Sequence, residues 1–234
     1  MTTAPGRLEI LPLSGVPEVR PGDDLIRTLG DALVALGGLE GGDVLVVAQK
    51  VVSKAEGRIE RTDDYLSVVF REARSVRRRR DELVIAETAH GFVCASAGVD
   101  RSNAPEEGTV VLLPVDPDVS AHSLRDGLGA RFGIAPAVIV SDSFGRAWRQ
   151  GTTDVAIGVA GLEPLLDLRG TSDRRGYRLQ STLVAVADEL AGAAELVMGK
   201  ARGVPAALVR GFDPPAGAGS AQDLIMPPER DLFP

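Results

Sequence analysis

The sequence is poor in cysteine and in long apolar runs, and each shortage excludes a class of protein. Cys94 is the single cysteine, so no disulfide can form within the chain and a reducing, cytoplasmic location is favoured. No apolar run approaches the ~20 residues that a membrane-spanning helix needs, and residues 1–7 lack the layout of a secretion signal. We therefore expect a cytoplasmic protein without a membrane partner, in which Cys94 is a small core residue.

Histidine is almost as scarce, and the common catalytic motifs are absent. His90 and His122 are the two histidines, which excludes a His-rich zinc site and leaves few candidates for a Ser-His-Asp triad. The phosphate-binding loop, the dinucleotide fingerprint, the nucleophile elbow and the zinc-protease helix motif do not occur. We assign His122 to the exposed side of a helix and leave open a role for His90 near a site.

The net charge of −7 argues against nucleic acid as the main partner. Four consecutive arginines at 77–80 are the strongly basic stretch. We interpret them as the solvated end of a helix over 65–76, because cations are favoured near a helix C-terminus. Two other interpretations remain open: a nucleic-acid patch, which the lack of interleaved aromatic residues disfavours, and a docking site for a partner enzyme.

Strand and helix patterns are interspersed along a chain long enough for one large domain. Short apolar runs predict strands at 8–11, 44–48, 83–86, 92–97, 109–113, 137–140, 155–159 and 206–209. Helical spacing of apolar residues predicts helices at 25–36, 65–76, 120–132 and 179–197. Several strands have the short links that suit antiparallel pairs, so we predict an α+β fold with mixed sheets and flanking helices.

Two stretches each place a carboxylate and small polar residues after an apolar run. Asp142 and Ser143 follow one predicted strand, and Asp100 and Asn103 follow another. Open α/β sheets hold ligands at the carboxyl ends of their strands. We therefore predict two carboxylates at neighbouring strand ends, where they would bind a hard cation. Each stretch alone is explained as well by a turn, since Asp and Asn favour turns through local hydrogen bonds.

Basic residues near these stretches suit a phosphorylated ligand. Lys54 lies in the polar segment 49–61, and Arg146 and Arg149 follow Ser143. A lysine would act as a point charge on phosphate and the arginines as bidentate clamps, while Mg²⁺ or Mn²⁺ binds phosphates through a few carboxylates. Alternatives stay open: a metal-dependent nucleotide phosphohydrolase, a non-catalytic nucleotide-binding module, or plain surface charges at Lys54 and Arg149.

A series of short stretches adds a family resemblance. They lie at 11–13, 51–58, 97–103, 141–146, 154–158, 187–189, 203–205 and 209–211. In their residues and their order they resemble the F420:γ-glutamyl ligase family, the coenzyme F420-0:L-glutamate ligases. Together they cover about residues 8–212, which predicts a ligase domain over 1–212 and a linker-like tail, rich in Pro and Gly, over 213–234.

The resemblance implies an activity, cofactors and an assembly. It implies a GTP-dependent ligase that joins L-glutamate to the lactyl carboxylate of the deazaflavin precursor F420-0 through an acyl phosphate, with the number of glutamates left open. It implies GTP as co-substrate and Mg²⁺ or Mn²⁺, often with a monovalent cation such as K⁺. It also implies a homodimer with an intertwined two-lobe fold.

By position, the resemblance implies roles for individual residues. Asp100 and Asp142 match ligands of a first divalent metal, Ser143 matches a ligand of a second, and Lys54 completes the predicted catalytic set with the two aspartates. The predicted nucleotide contacts are Leu11, Pro12, Leu13, Ser14, Gln49, Lys54, Asn103, Met198, Gly199, Lys200 and Gly203.

Two positions depart from the residue pattern of the family, and the tail carries a further resemblance. Lys200 stands where some relatives carry an acidic or amide residue that helps to hold the second metal, so lysine can serve a phosphate but not that metal. Gln49 replaces a small hydroxyl residue, which weakens its assignment as a nucleotide contact. The stretch 224–233 resembles the connector to a flavin-binding reductase-like domain in two-domain relatives, so a longer protein carrying that domain is an open alternative.

Overall fold

Five strands form the central sheet of the computed structural model, which describes residues 6–232. Numbered in chain order, they lie side by side as β1 (Glu9–Pro12), β12 (Ala206–Arg210), β2 (Val44–Ala48), β8 (Ala137–Arg146) and β9 (Arg149–Ala160). β2 and β8 are parallel, and the other neighbouring pairs are antiparallel. The apolar runs of β12, β2 and β8 are buried, as expected for central strands with both faces covered.

Two helices pack against this sheet, and a third packs against one of these helices. α4 (Pro117–Phe132) and α5 (Val186–Met198) both contact β9, and α1 (Leu25–Ala35) packs against α4. The side chains of Asp24 and Asp116 cap α1 and α4 by accepting hydrogen bonds from backbone N–H groups of the first turn. These elements share the larger of two apolar cores.

The second, smaller core lies around a three-stranded sheet. Its strands are β4 (Ala73–Arg80), β5 (Leu83–Thr88) and β6 (Val93–Ala95), and helix α3 (Tyr65–Glu72) packs beside them. Two further strand pairs are β3 (Ile59–Arg61) with β7 (Thr109–Val111) and β10 (Leu166–Asp167) with β11 (Leu183–Val184), and α2 spans Gln49–Ala55. The predicted α+β class with mixed sheets is confirmed, whereas the intertwined lobes and the dimer stay predictions.

The arginine run lies on a strand, so the predicted helix end over 77–80 is wrong. α3 ends at Glu72, and the following residues pair with β5 as an antiparallel hairpin. Asp81, with a φ of 54°, lies in the turn of this hairpin in the left-handed conformation that short polar residues tolerate. β4 is an edge strand, where charged side chains discourage pairing with a further chain.

The structure also corrects a second helix prediction and shows regular elements in a segment for which none was predicted. The predicted helix over 179–197 begins at Val186, because the backbone N–H of Leu179 bonds to Thr171 and that of Leu168 bonds to Thr182, which holds this stretch in a hairpin. The polar segment 49–61 has no pattern that predicts a helix or a strand, but it contains α2 and β3.

The described part of the predicted tail packs onto residues that precede it in the chain. Ser220 donates a 2.5 Å hydrogen bond to the Asp118 carboxylate, which also accepts from the backbone N–H of Ala221 at 3.0 Å. Gln222 donates to the carbonyl oxygen of His90 at 3.1 Å. Residues 1–5 and 233–234, at the outer ends of the predicted domain and tail, lie outside the described residues, and the boundary at 212 stays a prediction.

Three smaller expectations can be compared directly with the structure. Cys94 is buried, and burial, reinforced by the charge of Asp142, raises the pKa of its thiol to about 12. His122 is exposed, as predicted. Within residues 6–232, no helix combines the length and the apolar character needed to cross a membrane.

Candidate functional site

A cavity of about 410 Å³ lies beside the carboxyl end of β2, where the parallel pairing of Ala48 with Ser141 ends. Six chain segments converge on it: the link before α1, helix α2 with the residue before it, the segment at Asn103, the middle of the β8–β9 hairpin, the end of α5 and the loop after α5. The lining comprises 16–19, 48–51, 141–143, 198–201 and 203–205, with Lys54, Asn103, Asp154 and Glu195.

Most of the predicted site residues meet in this cavity. The predicted residues that line it are Gln49, Lys54, Asn103, Asp142, Ser143, Met198, Gly199, Lys200 and Gly203. The predicted contacts 11–14 are not part of the lining, and within them Leu13 is fully buried in the larger core. The next segment, 16–19, lines the cavity instead, although no motif marked it in the single sequence. The nucleotide role of each residue stays a prediction.

Asp142 lies inside a strand, not in a turn after one. β8 continues beyond its parallel partner β2 and pairs with β9 as far as Arg146. Burial raises the pKa of Asp142 to about 6, the Lys50 charge opposes that shift, and the charges of Asp154 and Asp100 add to it. The carboxyl therefore sits where a further positive charge would stabilise its ionised form.

Asp100 reaches the same region from the smaller core, so the two aspartates do not lie on neighbouring strands of one sheet as predicted. Asp100 forms an isolated antiparallel bridge with Val111. It follows a turn in which Ser96 and Ala97 have φ of 54° and 50°, a conformation unfavourable for residues with a Cβ. That turn directs the chain from β6 toward the candidate site.

Lys50 connects Asp100 to the cavity. Its Nζ lies 2.7 Å from Oδ2 of Asp100, and its side chain is 15% exposed. Burial alone would raise the pKa of Asp100, but the hydrogen bond and charge of Lys50, with donors from Ser102, hold that pKa below its usual value. Lys50 was not among the predicted site residues.

Asp154 is a second residue that the sequence interpretation missed. It lies opposite Ser143 in the β8–β9 register and is buried. Its two carboxylate oxygens accept hydrogen bonds from the hydroxyls of Ser141 at 2.8 Å and Ser143 at 2.6 Å. Because the Ser143 proton is directed to Asp154, the lone pairs of the Ser143 oxygen remain available to a cation. The sequence signal for Asp154 is a charged residue immediately before the apolar run at 155–159.

The positions of the lysine residues identify this cavity better than any sequence motif does. Of the 26 lysine and arginine residues, three are lysines: Lys50, Lys54 and Lys200. All three line the cavity. A compact ammonium and a planar guanidinium are not interchangeable near phosphate or carboxylate groups. A chain that elsewhere uses arginine therefore keeps lysine where several acidic groups and the candidate ligand site meet.

Lys54 and Gln49 are fixed by neighbours in or near α2. Lys54 is buried, and its Nζ lies 2.5 Å from Oε1 of Glu18. The hydroxyl of Ser53 donates to Oε1 of Gln49 at 2.8 Å, which leaves the buried Nε2 of Gln49 without a hydrogen-bond partner. The unpaired donor faces a cavity large enough for a ligand acceptor.

The loop after α5 closes the other side of the cavity. Nδ2 of Asn103 lies 3.4 Å from the carbonyl oxygen of Lys200, so the Asp100 segment and this loop touch. Burial raises the pKa of Glu195 at the end of α5, and the charge of Asp154 adds to that effect. Arg146 and Arg149, predicted as phosphate clamps, are exposed on the hairpin and do not line the cavity.

The donor set suits a hard cation. Among residues 6–232, no three Asp, Glu, His or Cys side chains gather closely enough to hold a metal by themselves. The charge of Asp100 nevertheless contributes to the raised pKa of Asp142, and Ser143, the next residue along β8, lines the same cavity. Mg²⁺ and Mn²⁺ are often held by one or two carboxylates together with phosphate oxygens and water, so these residues fit the predicted metal when a phosphorylated ligand is bound.

Comparisons with known proteins agree on one family. The family model described as F420-0:Gamma-glutamyl ligase matches residues 15–211. The Coenzyme F420:L-glutamate ligase of Methanopyrus kandleri is 42% identical and is aligned over 97% of each chain. The protein of the same name from Methanothermobacter thermautotrophicus is 40% identical over 97% of this chain and 98% of its own. That of Methanocaldococcus jannaschii is 38% identical over 86% and 88%.

Proposed function

This chain belongs to the F420-0:gamma-glutamyl ligase family, and from that premise we propose that it joins L-glutamate to coenzyme F420-0 at the expense of GTP. The observation that carries the proposal is the match across 15–211 to ligases of this name, together with one cavity lined by Asp142 and by every lysine of the chain, one of which, Lys50, pairs with Asp100.

The chemistry requires activation of a carboxylate. An ionised carboxylate is a poor electrophile, so an oxygen of the F420-0 lactyl carboxylate attacks the γ-phosphorus of GTP and GDP leaves. The amine of L-glutamate then attacks the carbonyl carbon of the acyl phosphate, phosphate leaves with the former carboxylate oxygen, and the amine loses a proton. Positioning and charge neutralisation supply most of the catalysis of such phosphoryl transfers, so no protein nucleophile is required.

The cavity's cations bind and orient the phosphates in this proposal. Lys54 is buried and held by Glu18, which fixes its ammonium against a phosphate oxygen. Lys200, on the loop that touches Asn103, approaches from the opposite side. The free Nε2 of Gln49 donates to a further acceptor of the nucleotide. Together these groups hold the transferred phosphoryl group in the position that its transition state requires.

Asp100, Asp142 and Ser143 would hold Mg²⁺ or Mn²⁺, with K⁺ as an accessory cation. When bound, the divalent cation neutralises charge that develops on the phosphate oxygens. Asp154 acts on Ser143, because its Oδ1 accepts the hydrogen bond of the Ser143 hydroxyl and leaves the lone pairs of that oxygen available to the cation. We therefore assign Asp154 as a positioning residue and the two aspartates with Lys54 as the catalytic set.

An isotope experiment tests the acyl phosphate. F420-0 carrying ¹⁸O in its lactyl carboxylate is incubated with the protein, GTP, L-glutamate and Mn²⁺. One ¹⁸O should appear in the released phosphate for each amide formed, because the attacking carboxylate oxygen leaves with phosphorus. Unlabelled phosphate alongside amide product would reject this intermediate.

Omission of single components separates the ligase from its rivals. A ligase releases phosphate only when F420-0 and L-glutamate are both present. A metal-dependent nucleotide phosphohydrolase would release phosphate with GTP and metal alone, and a non-catalytic module would bind GTP without turnover. Replacing GTP by ATP in the complete mixture measures the preference for guanine.

We also propose a homodimer, as the family resemblance implies. The three-stranded sheet leaves large apolar side chains exposed: Val76, Leu83 and Val93 have 46%, 54% and 50% of their surface accessible. Apolar groups exposed on one sheet favour association through that region. Sedimentation at micromolar concentration should give the mass of two chains, and a monomer at that concentration would contradict the proposal.

A further inference from the structure

The ion pair between Lys50 and Asp100 occupies carboxylate oxygens that a metal would need. Oδ1 of Asp100 accepts from the backbone N–H of Ser102 at 2.6 Å. Oδ2 accepts from the hydroxyl of Ser102 at 2.9 Å and lies 2.7 Å from Nζ of Lys50. Both oxygens of Asp100 are thus engaged, so binding of a divalent cation to Asp100 requires at least one partner to withdraw.

Lys50 is the partner that can withdraw at the lowest cost. The Ser102 contacts are local and made within two residues of Asp100, whereas the lysine side chain is long and flexible. Lys50 also lines the cavity, so its ammonium can leave Asp100 and remain beside a ligand. A positive charge on Lys50 next to an incoming cation is repulsive, which favours that movement.

The surrounding charges explain why a lysine stands there. Asp100, Asp142 and Glu195 all experience the Lys50 charge. Lys54 is already paired with Glu18, and Lys200 is exposed. Carboxylates close together in a partly buried site need a counter-charge, and Lys50 supplies it in contact with Asp100.

We propose that Lys50 is a built-in counter-cation for the Asp100–Asp142 pair, which a divalent cation displaces, and that the released ammonium turns to the phosphates in the cavity. This inference rests on the metal requirement of the proposed function. Lys50 therefore competes with the metal for Asp100 and assists the nucleotide once the metal is bound.

Calorimetry with Mn²⁺ alone tests the competition. Lys50→Met should bind Mn²⁺ about tenfold more tightly than the unmodified protein, the change that corresponds to about 1.4 kcal/mol of lost competition. Arg78→Met is the matched control, because it removes one exposed positive charge from strand β4, outside the cavity lining, and its Mn²⁺ affinity should change by less than about twofold. Unchanged, weaker or absent Mn²⁺ binding by Lys50→Met would overturn the inference.

Lysine labelling of the unmodified protein gives a second readout if Lys50→Met folds poorly. The three lysines are acylated with an amine-reactive ester at fixed pH, with and without Mn²⁺, and quantified by peptide mass spectrometry. Mn²⁺ should increase acylation of Lys50 while Lys54, paired with Glu18, stays constant. Equal or lower acylation of Lys50 with Mn²⁺ would show that the ammonium is not displaced and would overturn the inference.

These measurements contain no substrate, so their failure is separable from failure of the proposed function. A protein that ligates glutamate but shows no effect of Mn²⁺ on Lys50 rejects the counter-cation role and leaves the ligase assignment intact. A protein that shows the Lys50 effect without ligation retains the counter-cation role and rejects the ligase.

Discussion

The candidate cavity and strand β4 both concentrate positive charge, but they carry it on different residues. The cavity holds all three lysines, of which Lys54 is buried and Lys50 is mostly buried. Strand β4 carries the arginine run 77–80, and all four of these arginines are exposed. The chain thus uses lysine beside acidic groups in a concave site and arginine on a solvated edge strand.

This contrast separates charge that serves a ligand from charge that serves solubility. Exposed charges are screened by water and salt, and ion pairs such as Arg77 with Glu87 contribute little to stability. Charges in a partly buried cavity are screened much less, so each one has a larger effect on a bound phosphate. A positive charge therefore has different consequences in the two regions.

The largest effect should follow from removing an acidic partner of the cavity. Asp142→Asn should reduce ligation more than about a hundredfold, because it removes a predicted metal ligand worth several kcal/mol of transition-state stabilisation. The fold should survive: burial raises the pKa of Asp142 to about 6, so its ionised form costs stability at neutral pH and a neutral amide should not lower the melting temperature. Ligation rate and thermal unfolding measure both effects.

Asp126→Asn is the matched control, since Asp126 is an exposed aspartate on α4, 75% accessible and away from the cavity lining. It should retain normal ligation. Near-normal ligation by Asp142→Asn at limiting Mn²⁺ would contradict the assignment of Asp142 as a metal ligand of the cavity.

Lys54 tests whether a buried lysine binds the nucleotide. Lys54→Met should lower GTP affinity about ten- to a hundredfold, the range expected when a hydrogen bond to a charged group is lost. Lys54→Arg sharpens the comparison, because the larger guanidinium must fit a site where the lysine is 6% exposed, and it should restore only part of the affinity. GTP titration by calorimetry that gives the same affinity for all three proteins would contradict this role.

Lys200 distinguishes two explanations for an exposed lysine at the cavity. If its charge replaces part of a second cation at the phosphates, Lys200→Glu should lower GTP affinity and ligation rate about three- to tenfold through like-charge repulsion. If lysine merely stands where a metal ligand was lost, the same change should strengthen metal binding and speed ligation at low Mn²⁺. We expect the first outcome, and a Mn²⁺ titration of the ligation rate decides between them.

The smallest effect should come from the arginine strand. Replacing Arg78, Arg79 and Arg80 together by glutamine should leave GTP affinity and ligation within about twofold and change the free energy of unfolding by less than about 1 kcal/mol, as expected for exposed charges. Arg77 is left in place because it pairs with Glu87. A large loss of ligation in this variant would show that β4 takes part in the reaction. It would contradict the claim that only the charges of the cavity act on the ligand.

Sequence reasoning recovered the apolar strands and much of the cavity, for physical reasons that also explain its errors. The buried runs of β2, β8 and β12 are strong local signals, and Asp142 and Ser143 follow one of them. The arginines of β4 carry helix propensity, but pairing with β5 after the left-handed turn at Asp81 decides their structure.

The residues that were missed depend on contacts that sequence alone does not display. Asp154 gains its role from lying opposite Ser143 across a hairpin whose length was underestimated. Lys50 gains its role from Asp100, fifty residues away and on the smaller core. The sequence contains one signal for Lys50, which is that lysine is scarce in the whole chain.

The most direct test of the account is the mass of F420-0 after incubation with the purified protein, L-glutamate, GTP and Mn²⁺. We predict a product heavier by one or more glutamate residues, formed by the unmodified protein and by the triple arginine variant, but not by Asp142→Asn and not when GTP is omitted. Unchanged F420-0 with the complete mixture, or equal product from Asp142→Asn, would contradict the claim that this cavity is a ligase site.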